Sequence, residues 1–247
     1  MLDGKRAIVT GASRGLGRSI ALCLAENGAD LVLNGTNRDL LDALALDVRA
    51  RGRTAVVASG DVADPAVADA AVLAADAAFG GVDILVNNAG INTRSGTLGM
   101  PLDDWQRVMD INLNGTLHFC RAVLPGMIDR GYGRIVNVSS TTSKTPHKNA
   151  APAYGASKAG VNYLTMHLAY EMAAHGIRVN AVCPGPVETD MTQQWSESYR
   201  EKVTGNIPVG RLGMPEEIAE IVAFLASDRA GFINGETINA NGGTYMN

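Results

Sequence analysis

The residues best suited to chemistry in this chain are Tyr154 and Lys158, within Tyr154-Gly155-Ala156-Ser157-Lys158. The stretch opens an apolar segment, Val161 to Met172, with helical patterning, and positions i and i+4 of a helix share one face. An ammonium beside a phenol favours the phenolate, bringing a group whose ordinary pKa is about 10 nearer to neutral titration. Tyr154 is therefore a candidate general acid or base. Plain surface pairs show the same spacing, so the assignment rests on what the rest of the chain supplies.

A second candidate lies near the start. Ala7-Ile8-Val9-Thr10 reads as a strand, Gly11-Ala12-Ser13-Arg14-Gly15-Leu16-Gly17 as a glycine loop, and Ser19 to Glu26 as a helix. Glycines let the backbone approach a pyrophosphate, and free amides at the helix start stabilise its charge. A second strand, Asp30 to Asn34, ends in Gly35-Thr36-Asn37-Arg38 with no carboxylate to hold the 2′-hydroxyl of NAD. That lack, with Arg14 in the glycine loop and Arg38 nearby, favours the 2′-phosphate of NADPH, with NAD as the alternative. Asp61, in the turn Gly60-Asp61-Val62 after a third strand, is placed either to accept from an adenine amino group or to cap the helix near Asp64-Pro65.

Further candidates also follow strands. Val82 to Val86 delivers Asn87-Asn88-Ala89-Gly90, whose small residues let backbone lie against a flat ring, and Arg134 to Val138 delivers Ser139-Ser140. Asn112 sits inside a long helical pattern, Trp105 to Met127, where asparagine is unfavourable; it either faces solvent or serves a site. Gly176 to Val182 leads to Cys183-Pro184-Gly185-Pro186-Val187-Glu188-Thr189, and residues 190–210 read as a polar, weakly periodic substrate loop. Pro215 to Ser227 is a helix and Glu236 to Asn239 a last strand.

Alternating strands and helices imply a parallel sheet covered on both faces, because parallel neighbours need right-handed crossovers. Ligands of such sheets lie beyond the strand C-termini, where all these groups fall. The 247 residues, 46% hydrophobic, suit a single domain over 1–247. A formal charge of −4 shows no basic patch, so a small molecule is expected as substrate, and nucleic acid or a membrane is not. Cys23, Cys120 and Cys183 are scattered through apolar surroundings, as reduced, buried thiols are; no metal site is expected. No apolar run approaches the roughly 20 residues of a membrane span, and no signal-peptide core is seen, so a cytoplasmic protein is expected.

Taken together, Thr10 to Gly17, Asn87-Asn88-Ala89-Gly90, Asn112, Ser140, Tyr154 with Lys158, and Pro184-Gly185 with Thr189 resemble the short-chain dehydrogenase/reductase family from about Lys5 to Asn247. The resemblance implies a three-layer, doubly wound Rossmann fold with a parallel sheet of about seven strands. It implies hydride transfer between NADPH and a carbonyl or alcohol, with Tyr154 as proton donor, Ser140 polarising the carbonyl, Lys158 holding the nicotinamide ribose and Asn112 anchoring a water. Cofactor contacts are implied for Gly11, Ser13, Arg14, Gly15, Leu16, Gly17, Thr36, Arg38, Asp61, Val62, Asn88, Ala89, Gly90, Tyr154, Lys158, Pro184, Gly185, Val187 and Thr189, with Val187 and Thr189 on the carboxamide. A homotetramer is implied as well. Fourteen positions separate Ser140 from Tyr154, one more than is commonest in the family, which leaves Thr141 as a rival hydroxyl.

Within the family the pattern is most similar to 3-oxoacyl-[acyl-carrier-protein] reductases, making acyl carrier protein a candidate partner. Polyol, sugar and hydroxy-acid dehydrogenases share the scaffold, and a non-catalytic dinucleotide sensor is a remote alternative. Where carrier-protein reductases present arginines beside the cleft, this chain has Gly131, next to Arg130, and His175.

Overall fold

The computed structural model describes every residue except 149, 190, 191, 193, 194 and 247. The expected start of the substrate loop, at Asp190 and Met191, thus lies outside the described residues.

Seven short strands carry runs of Val, Ile, Leu and Ala: β1 (Arg6–Val9), β2 (Asp30–Gly35), β3 (Ala55–Ser59), β4 (Ile84–Asn87), β5 (Gly133–Val138), β6 (Ile177–Pro184) and β7 (Thr237–Ala240). They form one parallel sheet in the order β3-β2-β1-β4-β5-β6-β7. Because successive side chains on a strand point to opposite faces, Ala7, Val9, Leu31 and Leu33 join one core while Ile8, Val32 and Leu85 join the other. The first core lies under α1 (Gly15–Glu26), α2 (Arg38–Ala50) and the C-terminal helix Pro215–Leu225, α8 here. The second lies under α3 (Pro65–Phe79), α5 (Gly115–Arg130) and α6 (Pro152–Met172). The order reverses between β1 and β4, and at such a switch point the crossovers diverge and leave a crevice beyond the strand ends. This is the doubly wound Rossmann-type architecture expected from the sequence.

Two elements differ from the sequence reading. The pattern from Trp105 to Met127 is not one helix: α4 (Leu102–Met109) and α5 are joined by a π-helical turn, Asp110–Asn114, in which the Gly115 amide donates to the Asp110 carbonyl. A wide turn of this kind admits an extra residue without ending the helix, and apolar periodicity does not register it. The segment taken as weakly periodic loop contains α7 (Glu197–Thr204), capped by the Ser196 hydroxyl accepting from the Tyr199 amide at 3.3 Å. No residue of α7 is buried, so it carries no apolar stripe for a sequence reading to find. Among the described residues no helix is long and apolar enough to cross a membrane.

Candidate active site

The switch-point crevice, of about 630 Å³, is lined by the glycine loop, the ends of β2 and β3, Asn88 to Ile91, and Arg107, Ile111 and Thr189. Gly11, Ser13, Arg14, Gly15, Leu16, Gly17, Thr36, Asp61, Val62, Asn88, Ala89, Gly90 and Thr189 from the sequence-derived set are all in that lining. Arg38, Tyr154, Lys158, Pro184, Gly185 and Val187 are not.

The glycines divide by function. A Cβ on Gly11, at φ +63°, would stand 2.8 Å from Ala89 Cα, so here glycine allows the loop to touch the end of β4. At Gly15, φ +53°, the Cβ direction is open, with nothing nearer than Thr189 Cγ2 at 3.9 Å. Helices α2 and α3 are capped by the side chains of Asn37 and Asp64, whereas α1 begins after Arg14 with no side-chain cap. An open glycine cradle before uncapped amides fits a dinucleotide pyrophosphate. Asp64, not Asp61, is the cap of α3.

Asn88 is spoken for by the fold. Its carboxamide donates to the Thr10 and Gly11 carbonyls at 3.0 and 3.1 Å, and the Asn88 and Ala89 amides donate to Thr10 Oγ1 at 3.0 and 3.1 Å. These bonds lock the loop after β1 to the end of β4 and so hold the crevice open. Below them Asn87 donates to Asn137 Oδ1 at 2.9 Å and Asn137 donates to Thr165 Oγ1 at 2.9 Å, a satisfied buried polar chain joining β4, β5 and α6.

The two arginines separate. The Arg14 side chain is exposed and, among the described residues, makes no hydrogen bond or ion pair, while Arg38 is tied to Asp42 at 3.0 Å, one turn along α2.

Ser140, Tyr154, Lys158 and Asn112 are not in this lining, but Asn112 and Lys158 lie directly behind it. Gly90 makes the junction: a Cβ there would lie 3.3 Å from Asn112 Oδ1 and 3.4 Å from Lys158 Nζ. Asn112 is fully buried and does not face solvent. Its carboxamide donates to the Ile91 carbonyl at 2.9 Å and Ser157 Oγ at 3.0 Å and accepts from the Ile91 amide at 2.8 Å, pinning the chain after β4 to α6. Ser140 caps a 3-10 turn, Thr141–Ser143, and shares a 2.7 Å hydrogen bond with Thr142 Oγ1, a neighbour the sequence reading did not single out.

Charge behaves differently from the expectation. Burial, the largest influence on the Tyr154 phenol, raises its pKa; a hydrogen bond with Ser140 opposes this, and Cys183 nearby adds to the rise. Burial also pushes Lys158 down to about 8. The anticipated lowering of the phenol by the ammonium is therefore not found, because Lys158 Nζ donates to the Val138 carbonyl at 2.7 Å and lies 5.9 Å from the Tyr154 ring centroid.

The loop after β6 closes the site. The Glu188 amide donates to the Gly213 carbonyl at 2.8 Å, and the Gly213 amide to Pro186 O at 3.0 Å, fixing the backbone on either side of Val187. Glu188 accepts both terminal nitrogens of Arg200, from α7, at 2.6 and 2.7 Å. That link was not visible in the sequence, since twelve residues separate partners of ordinary surface type.

Fold and crevice together define a dinucleotide-dependent oxidoreductase of the doubly wound class. The chain belongs to the short-chain dehydrogenase/reductase family: a family model described as enoyl-(acyl carrier protein) reductase matches residues 11–245. It is 42% identical over 245 residues to the 3-oxoacyl-[acyl-carrier-protein] reductase of Vibrio cholerae, covering 99% of both chains. It is 41% identical over 244 residues to the reductase of the same name from Escherichia coli, covering 99% of this chain and 98% of the relative. Among solved structures it superposes at a TM-score of 0.94 and 37% identity on a proposed gluconate dehydrogenase from Agrobacterium tumefaciens, covering 98% and 96% of the two chains. A 3-oxoacyl-[acyl-carrier protein] reductase from Brucella melitensis gives the same TM-score at 34% identity, covering 100% and 93%.

Proposed function

We propose that this chain is an NADPH-dependent reductase that converts the 3-oxo group of an acyl thioester to a secondary alcohol. The observation that carries the chemistry is the Tyr154 phenol under the influence of the Ser140 hydroxyl and beside the buried Lys158, whose Nζ meets Gly90 at the crevice wall. Two hydroxyls that meet at one point suit a carbonyl oxygen, which becomes an alkoxide during reduction. NADPH, held by the glycine loop and the ends of β2 and β4, would supply the hydride that reduces the carbonyl carbon. Tyr154 gives its proton to the oxygen while Ser140 holds that oxygen in place. Lys158, whose Nζ lies beside Gly90, would hold the nicotinamide ribose, and Asn112 keeps the chain after β4 in register with α6. Full-length similarity to two 3-oxoacyl-[acyl-carrier-protein] reductases supports the thioester class.

On this reading residues 1–247 act as one dinucleotide-binding domain, with 190–210 as substrate loop and Arg14 beside the 2′-phosphate. A homotetramer is part of the same proposal. Its support is the outer face of α6, where Tyr163, Met166 and Tyr170 stand exposed at helical spacing, the usual mark of a covered surface.

A second reading, a polyol, sugar or hydroxy-acid dehydrogenase, draws on two observations. One is the 0.94 TM-score with the proposed gluconate dehydrogenase. The other is Arg130, which is turned inward onto the Val82 carbonyl and Asp83 and so is withheld from an acidic carrier protein. NADPH oxidation with an acetoacetyl thioester, run beside NADH, separates the two. Turnover selective for NADPH is expected; none with the thioester, but NAD(P) reduction with an aldonate or polyol, would replace the first reading by the second.

A further inference from the structure

Tyr154, Lys158 and Asn162 stand at successive four-residue steps along α6, and residues at that spacing share one face of a helix. The site accounts for the first two but not for Asn162, although asparagine has no propensity reason to lie inside a helix. Its carboxamide nitrogen donates to Ser143 Oγ at 2.7 Å, and Ser143 Oγ donates in turn to the Ser140 carbonyl at 2.5 Å. The Cys183 thiol, at the end of β6, donates to Asn162 Oδ1 at 3.9 Å, which keeps the nitrogen end of the carboxamide facing Ser143.

What each group can give fixes the direction of these bonds. An amide nitrogen only donates, and a hydroxyl has one proton. Ser143 therefore accepts from Asn162 and sends its own proton to the Ser140 carbonyl. That carbonyl also accepts from the Ser143 amide at 3.0 Å, so the peptide following Ser140 is held at two points. On the other side of Ser140, Ser139 Oγ donates to the Lys158 carbonyl at 3.3 Å. The backbone on both sides of Ser140 is thus stitched to α6, the helix that carries Tyr154. Beyond the 3-10 turn the chain is anchored independently, because Lys144 Nζ donates to the Thr237 carbonyl at 3.1 Å and to Asn239 Oδ1 at 2.9 Å, both on β7.

We propose that Asn162 is a positioning residue for the reduction: acting through Ser143, it sets the place of the Ser140 hydroxyl relative to the Tyr154 phenol. This rests on the reading of Ser140 and Tyr154 as the pair that meets the carbonyl oxygen. Without the Asn162 donor, the Ser143 proton is free to turn toward Cys183 Sγ, 3.9 Å away, and the Ser140 carbonyl loses one of its two tethers. A donor aimed at developing charge must be held in place to act, so the loss falls on the chemical step rather than on binding.

The test compares steady-state rates of N162L, S143A and the double variant with the wild type, using NADPH and an acetoacetyl thioester. Each single variant is expected to lower kcat by about 3- to 10-fold, the loss of one hydrogen bond. KM for the thioester and the calorimetric dissociation constant of NADPH should stay within about twofold of the wild type. Because Asn162 acts through Ser143, the double variant should lose no more than S143A alone. Multiplied losses in the double variant would show two independent effects and overturn the relay, as would an unchanged kcat in N162L. A raised KM with unchanged kcat would assign Asn162 to substrate binding and equally overturn it. Should the wild type oxidise an aldonate with NADP and reduce no thioester, the same comparison is made with the aldonate, since Ser140 meets the same oxygen in either direction. A wild type inactive on both would sink the Ser140–Tyr154 reading itself, an outcome seen before any variant is made. Far-UV circular dichroism shows that each variant has folded, and N162A takes the place of N162L if that one has not.

Discussion

Lys158 Nζ sits 2.7 Å from the Val138 carbonyl at the end of β5 and 5.9 Å from the centre of the Tyr154 ring. The ammonium is thus held by the sheet, and its charge is buried with only a neutral acceptor. That explains why burial lowers its pKa to about 8.

Stability should record this. Between pH 8 and 10 an unfolded lysine remains protonated, whereas the folded Lys158 gives up its proton. The unfolded state then binds more protons, and stability rises with pH. Tyr154, whose pKa is raised above 10, acts in the opposite sense only at higher pH. Urea midpoints at pH 7 and pH 9.5 should therefore rise more in the wild-type protein than in Lys158→Met. Equal changes in the two proteins would remove the buried-ammonium account.

Replacing the phenol tests the chemistry by itself. Tyr154→Phe keeps the ring but loses the proton donor, and turnover is expected to fall by about 10²- to 10⁴-fold with NADPH affinity retained. Steady-state rates and calorimetric titration measure the two quantities, and unchanged turnover would remove Tyr154 from the mechanism.

Arg14 and Arg38 should separate as their surroundings do. Arg14→Ala is expected to weaken NADPH about tenfold, the loss of one charge-assisted contact, with NADH affected little. Arg38→Ala breaks only an exposed pair with Asp42 and should change either affinity by less than about twofold. The reverse ranking would move the 2′-phosphate to Arg38.

The Glu188–Arg200 fork links the loop that follows β6 to α7. Arg200→Ala should loosen α7 without weakening the core, since neither partner is buried in it. Faster hydrogen exchange across Glu197–Thr204, a KM for the carbonyl substrate raised by about threefold and an unchanged thermal midpoint are expected. A lowered midpoint with unchanged exchange would show a purely structural pair. Burial aside, the Arg200 hydrogen bond is what holds the Glu188 carboxylate below its ordinary pKa, so the fork should persist through the neutral range.

The sheet was legible because each strand is a short apolar run followed by glycine or small polar residues, and the crevice because ligands of parallel sheets lie at strand ends. Ser140, Tyr154, Lys158 and Asn112 were legible as a family pattern, and the structure brings Asn112 and Lys158 together at Gly90. What spacing did not reveal depends on pairs distant in sequence. Arg107 meets Asp61 across forty-six positions and Asn88 is consumed by Thr10 across seventy-eight. Helix α7 escaped notice because a solvated helix lacks an apolar stripe, and the fall in phenol pKa failed because a helix-face argument does not include desolvation.

The π-helical turn at Asp110–Asn114 has a consequence for how this chain tolerates change. Each residue of an α-helix advances the face by about 100°, so the surplus residue offsets the phase of α5 from that of α4. Arg107 before the turn meets Asp61, and Asn112 within it meets Ile91 and α6. A one-residue deletion in this turn would produce a more regular helix and a disassembled site, because either the guanidinium or the carboxamide would swing a quarter-turn away from its partner. The irregularity is thus a reading frame for the helix, and length variation is better accommodated in the loop after Ser140 than here.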